Sequence, residues 1–232
     1  YTYVWSNGSS TKDIQNLAAG NYAVTVRDAN NCSATKSFTV AQPNAALTAN
    51  GTTDSVKCFG NNTGKITLSV SGGTPSYTYV WSNGSSTKDI QNLAAGNYAV
   101  TVRDANNCSA TRAFTVAQPN AALTANGTTD SVKCFGNNTG KITLSVSGGT
   151  PSYTYVWSNG SSTKDIQNLA AGNYAVTVRD ANNCSATRAF TVAQPNAALT
   201  ANGTTDSVKC FGNNTGKITL SVSGGTPSYT YV

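Results

Sequence analysis

The sequence predicts an all-β protein built from tandem β-sandwich modules of 76 residues strung end to end. Three observations carry that reading. Tyr1 recurs as Tyr77, Tyr153 and Tyr229, so one module is written repeatedly. Short runs of Ile, Val, Leu, Tyr and Trp alternate with polar residues and are separated by Gly, Asn, Ser and Pro clusters, the pattern of strands joined by turns. No segment carries a helical period. In addition, Leu93-x-x-Gly96-x-Tyr98 has the form of a tyrosine corner, in which a Tyr at a strand start ties down the loop before it, and this makes the sandwich Ig-like.

The copies differ where Lys36-Ser37 becomes Arg112-Ala113 and Arg188-Ala189. A period of 76 exceeds the 20–50 residues of one solenoid unit and suits a small domain that gains from a covalent staple. The joint is read at Ala-Gln-Pro-Asn (Ala41–Asn44, Ala117–Asn120, Ala193–Asn196), because Pro cannot donate to a ladder and stiffens a linker. Residues 1–43 are then the C-terminal part of a truncated module, 44–119 and 120–195 are complete modules, and 196–232 are the N-terminal part of another. Tyr-Thr-Tyr-Val stands at both ends, inside the same predicted strand. A window on a longer array is the favoured expectation. The alternative is a subunit whose residues 196–232 complete residues 1–43 of another copy, head to tail.

Along 44–119 the elements follow in order. Residues 45–50 read as a short first strand and 51–64 as a polar connection containing Cys58. Residues 65–72 alternate, with Ile66, Leu68 and Val70 inward. A Gly-Gly-Thr-Pro-Ser turn leads to 77–84, with Tyr79 and Trp81 on one face. Ile90 and Leu93 anchor a weaker segment. Residues 94–107 hold a strand with Tyr98, Val100 and Val102 inward, and an Asp-Ala-Asn-Asn turn leads through Cys108 to Phe114 and Val116. Six or seven strands result.

Composition narrows the function. The chain has no His and no Met, and its net charge of +6 is spread evenly along the repeats. No basic stripe points to nucleic acid, and no apolar run reaches the roughly 20 residues of a membrane span, so no membrane insertion is expected. Without His, Ser–His and Cys–His catalysis is unavailable. The acids Asp13, Asp28 and Asp54 and their copies sit in turns and connections rather than as a pair. No enzyme activity and no cofactor are expected.

Six cysteines fall at 32, 58, 108, 134, 184 and 210, with intervals alternating between 26 and 50. Two per module, with no Cys-x-x-Cys and no His, suggest disulfides in an exported protein rather than metal sites. The favoured pairing is Cys58–Cys108 and Cys134–Cys184, inside complete modules, leaving Cys32 and Cys210 unpaired. Closing such a loop would contribute roughly 3–4 kcal/mol. Pairing Cys32 with Cys58 across the Pro joint is the alternative.

Four segments together, Cys58–Ile66, Ser71–Gly84, Ile90–Cys108 and Val116–Pro119, resemble the SprB repeat of giant surface adhesins in gliding Bacteroidetes. Ser76 stands where that pattern has a second Pro, a change expected to affect turn stiffness only. The resemblance implies export by the type IX route, an extracellular, cell-surface location, and a link to the gliding machinery.

Three further features carry expectations. Asp104, Asn106 and Asn107 read as a capped turn or, less readily, as calcium ligands. Tyr77 and Tyr153, with Tyr79 and Trp81 nearby, read as core packing or as glycan contacts. Asp54-Ser55-Val56 resembles the Bacteroidetes O-glycosylation acceptor, which marks Ser55, Ser131 and Ser207; the Asn-x-Ser/Thr matches at Asn7, Asn31, Asn50 and Asn61 carry less weight. The expected function is a stalk or filament repeat of a large exported adhesin, with neighbouring repeats of the same chain as partners. The alternative is a multivalent array that binds surface polysaccharide.

Overall fold

The computed structural model describes all 232 residues, and every regular element in it is a β-strand. By contacts the chain divides into two compact units, Tyr1–Thr53 with Ile66–Ile90 and Asn97–Phe114, and Asp54–Lys65 with Gln91–Gly96 and Thr115–Val232. The strands are β1 (Thr2–Trp5), β2 (Gly20–Arg27) and β3 (Ser33–Val40); then β4 (Thr48–Asp54), β5 (Gly64–Ser71), β6 (Thr78–Trp81), β7 (Ile90–Leu93), β8 (Gly96–Arg103) and β9 (Ser109–Val116). The same six recur as β10 (Thr124–Asp130), β11 (Gly140–Ser147), β12 (Thr154–Trp157), β13 (Ile166–Leu169), β14 (Gly172–Arg179) and β15 (Ser185–Val192), followed by β16 (Thr200–Asp206) and β17 (Lys217–Ser223).

Residues 120–195 show the design. One sheet has the order β10-β11-β13 and the other β12-β14-β15, all antiparallel. The chain switches sheets at β12, returns for β13 and switches again, so the two sheets are interlaced. Ile142 and Leu144 of β11, Ile166 and Leu169 of β13, Val176 and Val178 of β14, and Phe190 and Val192 of β15 form one core, with Trp157 tilted against Phe190 at 5.9 Å. Period-two alternation sends these side chains inward and Lys141, Thr143 and Ser145 outward. Val146, the third apolar position of that strand, is only half-buried at the sheet's end. The strand orders β4-β5-β7 and β6-β8-β9 repeat the arrangement in 44–119.

Two local features explain the sequence. Gly140 is required by packing: a Cβ there would lie 2.5 Å from Val192 Cγ1 and 2.9 Å from Leu169 O. The tyrosine corner forms, with Tyr174 Oη donating to Ala170 O at 3.1 Å and Tyr22 Oη donating to Ala18 O at 2.9 Å.

Two expectations need correction, and the expected six or seven strands resolve to six. Gly51–Asp54, read as connection, extends β4; these polar residues are held by the ladder, as Gly127↔Leu144 to Asp130↔Lys141 show in the next repeat, and not by an apolar face. Each complete repeat has six strands. Ser76, Ser152 and Ser228 adopt φ of 89°, 87° and 85°, which a Pro ring locked near −65° cannot reach, so this departure changes the turn's conformation as well as its stiffness.

The segment Ile14–Leu17 has the sequence of β7 and β13 but forms no strand. Residues 1–43 contain no counterpart of β5 or β11 for it to pair with, so the ladder, not propensity, makes this strand.

Candidate functional site

The notable site is a loop and the turn that receives it. The loop is Val56–Thr63. Val56 is buried and its N–H donates to Ala117 O at 2.8 Å, while Gly60 N–H donates to Gln118 Oε1 at 2.9 Å. Lys57 N–H reaches Thr63 Oγ1 at 3.0 Å, and Asn61 N–H closes a turn on Cys58 O at 3.0 Å. The Ala and Gln before Pro119 therefore clamp this loop, a role beyond the joint assigned to them from sequence.

The receiving turn follows β14. Asp180 is buried; its Oδ1 accepts the N–H groups of Asn182 and Cys184, both at 2.9 Å, and its Oδ2 accepts Thr150 N–H at 2.8 Å. Burial, the largest single influence, raises the Asp180 pKa, but the N–H donors of Thr150, Cys184 and Asn182 together outweigh it and hold the carboxyl below its usual value. Asp104, the same residue one repeat earlier, is also lowered, with the Thr74 N–H as the leading cause against the opposing effect of burial. The carboxylate thus caps a turn, the first of the two readings of this motif, and pins that turn to the Gly148–Thr150 segment at the end of β11.

Here the loop and the turn are joined. Cys58 and Cys184 form a disulfide with Cα atoms 5.6 Å apart and a sequence separation of 126. Beside it, Asn182 Nδ2 donates to Lys57 O at 3.1 Å and to Thr150 Oγ1 at 2.9 Å. Ala122, Leu123 and Gly149 line the cleft where Cys58 and Phe59 sit.

The expected pairings Cys58–Cys108 and Cys134–Cys184 are not formed. Cys108 and Cys134 are exposed free thiols, as are Cys32 and Cys210. The reason is geometric. In 120–195 the loop bearing Cys134 precedes β11, whereas the turn bearing Cys184 is pinned by Asp180 to residues after β11. The two lie at opposite ends of an eight-residue strand, about 27 Å apart at a strand's rise. A disulfide tolerates a Cα separation of only about 7 Å. A loop at one end and a turn at the other suit pairing between neighbouring repeats.

The remaining candidates are placed as follows. Tyr153 is half-buried against the core and its Oη donates to Gly148 O at 2.8 Å; Tyr77 Oη makes the same bond to Gly72 O at 2.8 Å. Ser55, Ser131 and Ser207 are exposed just past a strand end. A groove lined by Lys141, Asn159, Thr163 and Asp165 is structural in its polar groups: Asp165 Oδ1 accepts Leu144 N–H at 2.8 Å and Thr163 O accepts Trp157 Nε1–H at 2.8 Å. No group of three potential metal ligands is clustered, and no helix is long and apolar enough to cross a membrane.

The family model of the SprB repeat matches residues 50–86, 126–162 and 202–232, at the same position in each period. The SprB-repeat model thus matches three times across the chain, once in each period. A comparison with curated proteins finds no match. Among solved structures, the C-terminal 282-residue fragment of intimin, in complex with the translocated intimin receptor's intimin-binding domain, is similar at 19% identity, covering 66% of this chain and 67% of that one, with a TM-score of 0.37. The N-terminal eight Ig domains of Down syndrome cell adhesion molecule are similar at 14% identity over 97% of this chain and 34% of that one, with a TM-score of 0.36. A tetra-tandem repeat from the extending region of a large adhesion protein is similar at 15% identity, over 96% and 79% of the two chains, with a TM-score of 0.24. At those scores the likenesses carry no functional argument.

Proposed function

We propose that this repeat array is a non-catalytic, load-bearing stalk of a large exported adhesin, displayed at the cell surface. The observation that carries the reading is the disulfide between Cys58 and Cys184, which ties one repeat covalently to the next. Under tension the bond bears the load and shields the 126-residue stretch it closes, so a repeat that unfolds inside that stretch does not lengthen the stalk. Closure of so long a loop also removes unfolded-state entropy, about 5 kcal/mol in the chain-entropy account. Such a bond persists in an oxidising, extracellular setting. Type IX export, attachment to gliding machinery and O-glycosylation at Ser55, Ser131 and Ser207 belong to the proposal through the family.

Single-molecule pulling between the chain termini tests it. With the disulfide intact, full extension falls short of the reduced chain's by roughly 440 Å, at about 3.5 Å per hidden residue. Equal extensions with and without reductant would sink the stalk reading. Glycan arrays address the alternative: strong binding that is lost on Tyr77→Ala would favour a polysaccharide-binding array instead.

A further inference from the structure

Each complete repeat contains Asn-Gly in two different settings. Asn83-Gly84 and Asn159-Gly160 stand at the tip of the turn after β6 and β12. Asn50-Gly51 and Asn126-Gly127 stand inside β4 and β10. Asn-Gly is the pairing in which an Asn side chain reacts most readily with its own backbone. The nitrogen of the next residue attacks the side-chain amide carbon, and a Gly there has no Cβ to hinder the approach. A succinimide ring results, and closing it requires rotation of the backbone at the Asn.

The turn is arranged for this attack. Ser161 N–H donates to Asn159 Oδ1 at 3.2 Å, and Ser85 N–H donates to Asn83 Oδ1 at 3.1 Å. That bond folds the Asn side chain back over the intervening Gly. It also places a donor on the oxygen where negative charge develops as the amide carbon is attacked. Both Asn residues are exposed, and a Cβ on Gly84 or Gly160 would meet no atom within 4 Å. One restraint opposes the attack. Gly160 N–H donates to Trp157 O and Gly84 N–H to Trp81 O, both at 3.0 Å, and this bond must open first. A single bond at an exposed tip opens far more easily than a ladder does. In the strands the ladder holds both residues: Asn126 pairs with Ser145 and Gly127 with Leu144. One repeat earlier, β4 lies beside β5 in the same way, and a Cβ on Gly51 would meet Thr67 O, and the Phe114 ring at 3.2 Å. Rotation at Asn50 would therefore break the ladder and disturb the packing against Phe114.

We propose that Asn83 and Asn159 are sites of self-modification, where the turn converts its amide to a carboxylate through a succinimide and without an enzyme, while the ladder preserves Asn50 and Asn126. Water is the only co-reactant. The Gly nitrogen bonds to the Asn side-chain carbon, the bond from that carbon to the amide nitrogen breaks, and the Gly proton leaves with it as ammonia. Water then adds to one or the other ring carbonyl and opens the ring, giving aspartate or isoaspartate. Nothing is oxidised or reduced. The product faces the groove that Lys141 and Asp165 line together with Asn159. Aspartate keeps the acceptor for Ser161 N–H and adds a negative charge to that groove. Isoaspartate lengthens the backbone and displaces the turn that presents Thr163 O to Trp157 Nε1–H. The net charge of +6 therefore falls with the age of the chain, one unit at each turn that converts.

The test holds the whole folded chain in mildly alkaline buffer, samples it over time, and reads tryptic peptides by mass spectrometry against a zero-time control. Residues 66–88 and 142–164 give one identical peptide that reports the turn, and 37–57, distinguished by Ser37, reports Asn50. The turn peptide is expected to gain aspartate and isoaspartate at least about tenfold faster than Asn50 reacts. In urea, where no ladder remains, the two rates should converge. Asn83→Gln combined with Asn159→Gln, which would need a larger ring, should stop the change at the turn while Asn7 in the peptide 1–12 still reacts. Equal rates in the folded chain, a contrast that survives in urea, or aspartate formed without isoaspartate would overturn the proposal.

Discussion

Residues 196–232 repeat residues 120–156 letter for letter, yet the two stretches sit in different environments. Ile142 is 0% exposed and Leu144 2%; their copies Ile218 and Leu220 are 77% and 52% exposed. Both stretches form the same hairpin, β10-β11 in one and β16-β17 in the other, with the same register of seven pairs. Local sequence therefore suffices for the hairpin, while burial needs β12 to β15. The hairpin alone is an open two-stranded ribbon, and such ribbons are marginal in water.

The largest expected difference between the two is in amide exchange. Burial of one Ile and one Leu is worth about 3–6 kcal/mol, so amides of β11 should exchange at least about a hundredfold more slowly than those of β17. Hydrogen exchange read by mass spectrometry on peptides from each hairpin checks this, although the identical sequences require peptides that extend into flanking residues. Equal protection would mean that 196–232 is covered in solution, and loss of that protection on dilution would show the cover to be intermolecular.

Truncation sharpens the comparison. Ile142→Ala removes a fully buried side chain and should cost about 2–5 kcal/mol, whereas Ile218→Ala should change stability by less than about 0.5 kcal/mol. Urea unfolding followed by fluorescence in a Trp5→Phe, Trp81→Phe background reads the first, since the remaining Trp157 lies in that core. A large loss from Ile218→Ala in dilute solution would contradict the exposure assigned to it.

How much of this the sequence disclosed follows the same division. The period, the inward faces of β11 and β14 and the tyrosine corner were legible, because alternation and turn residues encode local structure directly. The strand at Gly51–Asp54 was not, because Thr-Thr-Asp carries no apolar face and owes its conformation to ladder bonds. The disulfide was misread for a deeper reason. Cysteine intervals of 26 and 50 constrain nothing about which ends of the sandwich the two loops occupy. That depends on Asp180 binding Thr150 N–H, a contact between loops 30 residues apart. The clamp of Gln118 on Gly60, at 2.9 Å, was hidden likewise: a Gln before Pro looks like linker until its partner 58 residues away is known.

A smaller contrast concerns glycine. In 120–195 a Cβ on Gly140 meets Val192 and Leu169, but at the same position in the open hairpin, Gly216, its nearest neighbours would be Val208 Cγ2 at 3.3 Å and Asp206 O at 3.6 Å. Gly140→Ala should therefore destabilise the repeat by about 1–3 kcal/mol through overpacking. Gly216→Ala should be near neutral. Thermal melts of the two variants separate them, and matching shifts would show that the glycine serves the hairpin and not the sandwich.

The smallest predicted effect is one of pH. Asp180 sits below the ordinary carboxylate value of 3.8 in the folded chain, because the fold supplies three N–H donors that favour the carboxylate. A depressed folded pKa means that the unfolded chain takes up the proton first. The contribution to stability is thus fully present well above 3.8, begins to fall as pH approaches that value, and is gone once pH drops below the lowered folded pKa. Asp28, at the same position in residues 1–43, accepts only Asn30 and Cys32 N–H, both at 2.9 Å, without the bond that Thr150 gives Asp180. Asp180→Asn should accordingly flatten the loss of stability on acidification between about pH 5 and 3, relative to the unsubstituted chain. Urea midpoints at several pH values measure both slopes. If Asp180→Asn left the acid limb unchanged, the turn would owe its shape to the Asn183 backbone at φ 63° and the disulfide, and the carboxylate would be a bystander in the joint.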